Sequence, residues 1–274
     1  MMRPSRSNAS VRDPAVAGFF YPSDASELRA TVENLLEHAK VGEAPTNSRT
    51  FIVPHAGYVY SGGVAATVYA RLQQTQPSLR RVVVIGPSHR VYLRGIAIPQ
   101  VDAFRTPLGE IPLDLQSKRA LVRRGDVILS DTPHALEHSL EVQLPFLQVL
   151  SDRFELIPLV VGDASAEHIA SVLDEVIDDS DTLLLASSDL SHYLTYEEAQ
   201  AKDADTSRAI MAFENALEGE QACGAVALNG LLTFAKRRRA TIHELARLNS
   251  GDTAGDRSRV VGYGAFAIHD DRRN

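Results

Sequence analysis

Short, uniformly apolar runs recur along this 274-residue chain, and they constrain its fold more than any other feature of the sequence. The clearest runs cover residues 51–53, 82–85, 156–161 and 183–186. Continuous apolar runs of this length are typical of strands that are buried on both faces of a parallel sheet. Because helical patterns separate these runs, we predict a layered α/β fold with a mostly parallel central sheet and helices on both faces.

The organisation into domains follows from the same pattern. No internal repeat, low-complexity segment or interdomain linker interrupts the chain, so we predict a single domain over residues 13–270. Residues 1–12 are predicted to form a disordered tail. The polar N-terminal residues lack the apolar core of a secretory signal.

Charge and composition exclude several classes of function. The formal net charge of −7 argues against a nucleic-acid partner or an anionic membrane surface, because both require a basic patch. The apolar runs are far shorter than the roughly 20 residues that a membrane-spanning helix needs. Cys223 is the only cysteine, so an internal disulfide is excluded and a reducing cytoplasmic location is expected.

A histidine follows three of the predicted strands. His55 comes after the run 51–53, His89 after the run 82–85, and His192 after the run 183–186. Parallel strands leave a sheet at one edge, so these three imidazoles are predicted to converge there. One such histidine alone would be read as an ordinary surface or hydrogen-bonded residue.

The segment Ser187-Ser188-Asp189-Leu190-Ser191-His192-Tyr193 is unusually rich in groups that carry chemistry. If a helical turn begins there, Asp189 and His192 stand three residues apart on one face. We predict that this segment forms part of a functional site. Helix capping is the alternative for the serines and the aspartate, but it leaves His192 unexplained.

Histidines beside a carboxylate and a thiol suggest a metal site. Two histidines and one anionic ligand suit non-haem iron(II), whereas a mixed histidine and cysteine set also suits zinc. Cys223 is predicted to open a helix, where the helix dipole would lower its pKa. The alternative for Cys223 is a small buried hydrophobe. A helix is predicted over residues 137–150, with His138 and Glu141 on one face as support for the site or as a surface pair.

Five segments together resemble the Memo family, known in bacteria and archaea as protein B of the AmmeMemoRadiSam system. The resemblance runs from about residue 13 to residue 268, and its motifs are Asp13-Pro14-Ala15-Val16-Ala17-Gly18-Phe19-Phe20-Tyr21-Pro22, Pro54-His55-Ala56-Gly57-Tyr58, Gly86-Pro87-Ser88-His89, Glu137-His138-Ser139-Leu140-Glu141 and Ser187-Ser188-Asp189-Leu190-Ser191-His192-Tyr193.

The resemblance implies a fold like that of the class III extradiol dioxygenases, which are non-haem iron enzymes. It implies that His55, His89 and Cys223 are the metal ligands and that iron or copper is the metal. It also places Asp189 and His192 in the same pocket, with His192 in the position of an acid/base histidine. A thiolate in place of the dioxygenase carboxylate favours copper(I) or a redox role over catechol cleavage.

Three functions from different classes fit these residues. The first is a redox enzyme that uses O₂ on a small molecule at iron(II) held by His55, His89 and Cys223, with copper(I) or zinc as the other metals. In that enzyme His192 would be the general base and Asp189 would orient it. The second is a metal-handling protein without turnover. The third is a module that holds a peptide or protein partner in the same pocket.

Overall fold

The structure is a computed structural model that describes residues 10–75, 79–177 and 182–270. Residues 1–9 of the predicted tail lie outside the described residues. Val11 and Arg12, at the end of that predicted tail, pair with Ala103 and Phe104 as a parallel strand. The Arg12 guanidinium also forms a buried ion pair with Glu141, at 2.8 Å. The folded domain therefore begins earlier than predicted.

The strands are β1 (Val11–Arg12), β2 (Thr50–Val53), β3 (Arg81–Pro87), β4 (Ile96–Ile98), β5 (Ala103–Thr106), β6 (Gly109–Pro112), β7 (Ile128–Leu129), β8 (Glu155–Val161), β9 (Thr182–Ser187), β10 (His192–Leu194), β11 (Thr241–Asn249) and β12 (Val260–His269). The helices are α1 (Ala25–Glu37), α2 (Tyr58–Thr75), α3 (Leu115–Arg124), α4 (Thr132–Ala135), α5 (Leu144–Leu150), α6 (Ala166–Val176), α7 (Tyr196–Met211) and α8 (Ala225–Arg237).

The central sheet has nine strands in the order β10-β12-β2-β9-β3-β8-β4-β7, with β11 paired to β12. Its middle strands β2, β9, β3 and β8 are parallel. In contrast, β12 joins β2 and β4 joins β8 in antiparallel pairs. The sheet is thus mixed rather than mostly parallel as predicted, because apolar periodicity reports that a strand is buried and carries no information on its direction. A separate three-stranded sheet has the order β1-β5-β6.

Helices cover both faces of the central sheet, as predicted. Along β2, Phe51 and Val53 pack in the same hydrophobic cluster as Leu28 of α1. Ile52, which lies between them, packs in a second cluster with Ile169 of α6. Alternate side chains of a strand point to opposite faces, so the two clusters are the two sides of one layered domain.

None of the helices in the described part of the chain has the length and apolar content of a membrane-spanning segment.

Candidate metal centre

Three parallel strands bring side chains to one edge of the central sheet. Val53 at the end of β2 is the register partner of Ser187 at the end of β9, and β3 lies on the other side of β9. Because these strands are in register, the residues that follow them leave the sheet at the same level. The predicted convergence of His55, His89 and the segment after β9 is therefore present.

A cleft of about 830 Å³ opens at this edge of the sheet. The predicted ligands His55, His89 and Cys223 line it, and so do Asp189 and His192. The side chains at its walls include His55, His89, His138, Asp189, His192, Cys223, Phe19, Phe20, Tyr60, Tyr193, Tyr263, Arg90 and Arg259.

Three imidazoles lie at the centre of this cleft. One ligand nitrogen from each of His55, His89 and His138 lies within 4.8 Å of the other two. The rings of His89 and His138 are stacked with centroids 4.8 Å apart, and His55 meets each of them edge-on. Three nitrogens at this spacing could hold a metal ion. The sequence did not identify His138 as a ligand candidate, because His138 follows no strand and lay in a predicted helix.

That predicted helix over residues 137–150 begins later than expected. Residues Glu141–Gln143 form a 3₁₀ turn, and α5 starts only at Leu144. Pro145 occupies the first turn of α5, where its missing N–H costs nothing. His138 therefore lies in a turn before the helix, and this turn places its ring over the cleft.

Glu137 anchors this turn to His89. Its carboxylate accepts hydrogen bonds from Nδ1 of His89 at 2.9 Å and from the backbone N–H groups of His89, His138 and Ser139 at 2.7, 3.0 and 2.9 Å. Burial alone would raise the pKa of Glu137, but the bonds from His89 and the backbone outweigh it and lower the pKa to about 2. The ionised carboxylate can only accept, so Nδ1 of His89 carries a proton, and Nε2 is the acceptor nitrogen of the neutral form of this ring.

Glu141 does not form the predicted helical pair with His138. It is fully buried and accepts hydrogen bonds from the Arg12 guanidinium, the Tyr21 hydroxyl and the backbone N–H groups of Ala15 and Val16. This carboxylate therefore fastens the N-terminal segment that carries Phe19 and Phe20 to the cleft wall. The ring of Phe20 lies 4.7 Å from that of His138, centroid to centroid.

His55 is buried, and each of its ring nitrogens faces a different neighbour. Nδ1 lies 3.0 Å from the hydroxyl of Ser187, and Nε2 lies 3.2 Å from the Cys223 sulfur. Burial, reinforced by the nearby imidazoles of His89 and His138, lowers the pKa of His55 well below its usual value. His55 is consequently neutral at physiological pH.

Cys223 reaches the cleft, but its environment differs from the predicted one. It lies two residues before the first residue of α8, and burial of the thiol together with the Asp189 carboxyl raises its pKa to about 12. The prediction that the helix dipole lowers this pKa is wrong, because desolvation of a thiolate outweighs the partial charge of a helix end. In the metal-free protein Cys223 is therefore a thiol.

Asp189 is buried beside His55. Its carboxylate accepts a hydrogen bond of 2.7 Å from the His55 backbone N–H. Burial raises the pKa of Asp189 to about 7, and the backbone hydrogen bonds oppose that shift only in part. The predicted helical turn that would place Asp189 and His192 on one face is absent, because His192 begins strand β10.

The orientation of His192 is set by the backbone rather than by Asp189. Its Nδ1 lies 2.9 Å from the carbonyl oxygen of Leu190. A carbonyl can only accept, so Nδ1 carries the proton and the Nε2 lone pair is left to face the cleft. Burial lowers the pKa of His192, which keeps this imidazole neutral.

Aromatic and cationic side chains form the mouth of the cleft. Phe19 is 87% exposed and Tyr193 is 62% exposed, so both present open ring faces. The Arg259 guanidinium lies 4.5 Å above the Tyr193 ring. Tyr193 also adopts a left-handed backbone angle, with φ of 63°, which is uncommon for a bulky residue and recurs at functional sites.

The donors in the cleft suit a transition metal. The pKa of His138 is lowered to about 4 by burial, so His55 and His138 both offer neutral imidazoles. The Nδ1 atoms of His55 and His89 each face an oxygen atom, as the ring nitrogen that does not bind the metal commonly does in metal-bound histidines. Nitrogen and sulfur ligands favour iron, copper or zinc over magnesium or calcium.

A family model and several relatives of this chain point to the same family. Residues 12–267 match the family model described as Memo-like protein. MEMO1 family proteins of Methanopyrus kandleri and Metallosphaera sedula are each 36% identical to this chain; both alignments cover 94% of it, and 98% and 99% of the relatives. A MEMO1 family protein of Aquifex aeolicus is also 36% identical, over 92% of this chain and 97% of that protein.

One solved structure adds support for the fold. The crystal structure of an uncharacterized protein from Escherichia coli K12 aligns with a TM-score of 0.56 and covers 80% of this chain and 99% of that chain. The two sequences are 14% identical, so the likeness shows the fold alone.

Proposed function

Because this chain belongs to the Memo family, we propose that it binds a redox-active metal ion in the cleft, through His55, His89 and Cys223. The observation that carries the proposal is the 3.2 Å approach of the Cys223 sulfur to Nε2 of His55 in the cleft that His89 also lines. A nitrogen lone pair and a thiol at this distance would both face an ion placed between the strand ends.

The surroundings of the three histidines favour His55 and His89 over His138 as ligands. A metal-bound histidine almost always donates its other ring N–H to a carboxylate, a carbonyl or a hydroxyl. His55 has Ser187 and His89 has Glu137 for this purpose. Nδ1 of His138 is buried and makes no hydrogen bond within the described residues, at 3.5 Å from Glu137 Oε1. We therefore propose that His138 is not a ligand and that its ring packs against His89 in the wall of the cleft.

The donor set also bears on which metal is bound. A cysteine ligand supplies the negative charge that three neutral imidazoles would lack, which suits iron(II) and the softer copper(I). Zinc accepts the same donors. We place iron(II) first, with copper(I) and zinc as alternatives, and we propose a fold relationship to the class III extradiol dioxygenases.

Bound iron(II) would supply a redox-active centre for chemistry with O₂ on a small molecule. In that enzyme His192 accepts a proton at Nε2, because its Nδ1 is already committed to the Leu190 carbonyl. Asp189, with a pKa near neutrality, can hold a proton next to the His55 backbone. Phe20, which packs on His138, helps to shield the cleft from water.

A second function is favoured by one feature of the same site. The sulfur ligand is softer than the carboxylate of iron oxygenases and suits copper(I), which is a cargo as well as a cofactor. The chain would then handle metal without turnover. A reducing compartment such as the cytoplasm suits the free thiol in all cases.

Elemental analysis of protein purified without oxygen tests the proposal. We expect about one iron or copper ion per chain, in line with a single dedicated site. His89→Ala should lose most of that metal, whereas His38→Ala, which changes an exposed histidine at the C-terminal cap of α1, should retain it. A parent protein that stays metal-free after anaerobic loading with iron(II), copper(I) and zinc would contradict the metal site. Oxygen consumption by the loaded protein with a panel of small molecules then separates an enzyme from a metal-handling protein.

A further inference from the structure

We propose that Ser187 is a positioning residue that fixes the His55 imidazole as its Nδ1–H tautomer, so that the Nε2 lone pair always faces Cys223 and the metal position. The inference rests on the proposed metal site for its purpose, although the tautomer itself is a property of the metal-free protein. Ser187 lies at the end of β9 and is fully buried.

The hydrogen bonds of Ser187 fix where its single proton lies. A serine hydroxyl donates once and accepts twice. Its oxygen is 2.5 Å from the carbonyl oxygen of Ser139, and a carbonyl can only accept. The hydroxyl proton must therefore point to Ser139, because two oxygen atoms at that distance without a proton between them would repel each other. Ser187 has no proton left for His55.

Gln143 occupies a second position around the same hydroxyl. Its Nε2 group lies 2.9 Å from the Ser187 oxygen and 2.9 Å from the carbonyl oxygen of Pro54. The Pro54 carbonyl can only accept, so the amide nitrogen rather than the amide oxygen faces that pair. In this orientation the Tyr69 hydroxyl donates to the amide oxygen at the other end, at 2.7 Å. Ser187 consequently accepts from Gln143.

One lone pair of the Ser187 oxygen remains, and Nδ1 of His55 lies 3.0 Å from it. Since the hydroxyl has already donated its proton, Nδ1 must be the donor. A neutral imidazole carries only one N–H, so Nε2 is the acceptor and faces the Cys223 sulfur at 3.2 Å. In the metal-free protein the thiol then donates to Nε2, and an ion that binds there meets a lone pair without a change of tautomer.

Burial of these side chains allows only this arrangement of hydrogen bonds. Ser187 and Gln143 are 0% and 1% exposed, so an alternative tautomer would leave a buried polar group unpaired. Gln143 also ties Pro54, the residue before His55, to the end of β9. The position of the ring and the position of its proton are thus set by the same buried pair of side chains.

The direct test is ¹⁵N NMR of the metal-free protein labelled at histidine, at pH 8, with the His55 signals assigned by their loss in His55→Gln. We expect one dominant form in the parent, with a protonated Nδ1 and an unprotonated Nε2. A parent protein in which His55 carries its proton on Nε2 overturns the inference, and this measurement requires no variant of Ser187.

Ser187→Ala and Ser139→Ala form a matched pair for the second measurement. The Ser139 hydroxyl donates to the Pro87 carbonyl and makes no hydrogen bond to a histidine within the described residues, while its own carbonyl survives the change to alanine. Ser187→Ala should release the His55 tautomer, leave that of His89 unchanged and weaken iron(II) binding by about 10–100-fold. Ser139→Ala should preserve both tautomers. A His55 tautomer that stays fixed in Ser187→Ala contradicts the inference. If Ser187→Ala releases the His55 tautomer but the parent protein binds no metal, the inference about Ser187 stands and only the proposed function is contradicted.

Discussion

Proton release on metal binding tests the role of Cys223 most sharply. Burial raises the pKa of this thiol to about 12, so it is protonated throughout the physiological range. A thiolate ligand must lose that proton to the solvent. The imidazoles of His55 and His138 are already neutral, because burial lowers their pKa values, and they release none. The Cys223 thiol should therefore contribute about one proton per metal ion near pH 7.5, and the difference in proton release between the parent and Cys223→Ser isolates that contribution.

The same reasoning gives the pH dependence of affinity. Protons compete with the metal for the sulfur at every pH below the thiol pKa of about 12, so affinity falls as the pH falls. The apparent association constant should rise about tenfold per pH unit between pH 7 and pH 8.5. Replacement of the thiol by a neutral hydroxyl in Cys223→Ser should abolish that slope. It should also weaken binding by about 100-fold or more, since losing only a group that hydrogen-bonds to a metal ligand already costs about 10–100-fold.

The assay is anaerobic titration calorimetry with iron(II) in two buffers of different ionisation enthalpy. The difference between the two measured heats gives the number of protons released. His138→Phe is the matched control, because it keeps a ring stacked on His89 and removes the nitrogen. Proton release should persist in that variant. A parent protein that releases no proton, with Cys223→Ser binding as tightly, would refute the thiolate and leave the three histidines as the ligand set.

Three further outcomes follow from the contacts around the cleft. His192→Ala should keep the parent's metal content by elemental analysis, since His192 is not among the three histidines whose ligand nitrogens lie within 4.8 Å of one another; loss of metal would identify a ligand instead. Glu137→Gln should weaken iron(II) binding about 10–100-fold in calorimetry. Because the folded carboxyl has its pKa lowered to about 2, the parent should lose about 3 kcal/mol of unfolding free energy as the pH falls from about 4.5 to 2. In urea unfolding, Glu137→Gln should lack this pH-dependent loss of unfolding free energy. A pH profile equal to that of the parent would contradict its assignment to Glu137. In Gly262→Ala the added methyl group would overlap the buried Asp203 carboxylate, which should lower stability by about 2 kcal/mol in thermal unfolding. In the control Gly63→Ala, the methyl group meets open space on α2, so stability should not fall. Equal stability of the two variants would show that the methyl group at position 262 does not clash with Asp203.

Much of the candidate site could be predicted because its residues follow directly after buried strands. His55 and His89 stand at the carboxyl ends of β2 and β3, and apolar runs identify such strands from the sequence. The register between β2 and β9 then brings the strand ends together. The same logic placed Asp189 and His192 near them, although it assigned a helical turn where the chain forms β10.

His138 could not be found in this way. Its position depends on a turn that Glu137 holds through four hydrogen bonds, two of them to the distant His89. No periodicity in the sequence records a contact of that kind. The role of Glu141 was hidden for the same reason, because its donors lie more than a hundred residues away, in the N-terminal segment.

The sequence by itself determined the layered α/β architecture, the strand ends that carry His55 and His89, and the family, because these depend on local patterns of apolar and polar residues. Only the tertiary structure decided the directions of β4 and β12, the membership of His138 in the cleft and the protonation of Cys223. Strand direction depends on where the chain returns to the sheet, and a pKa depends on how completely the fold removes water from a group. Both are properties of the packed chain, so a local sequence pattern does not contain them.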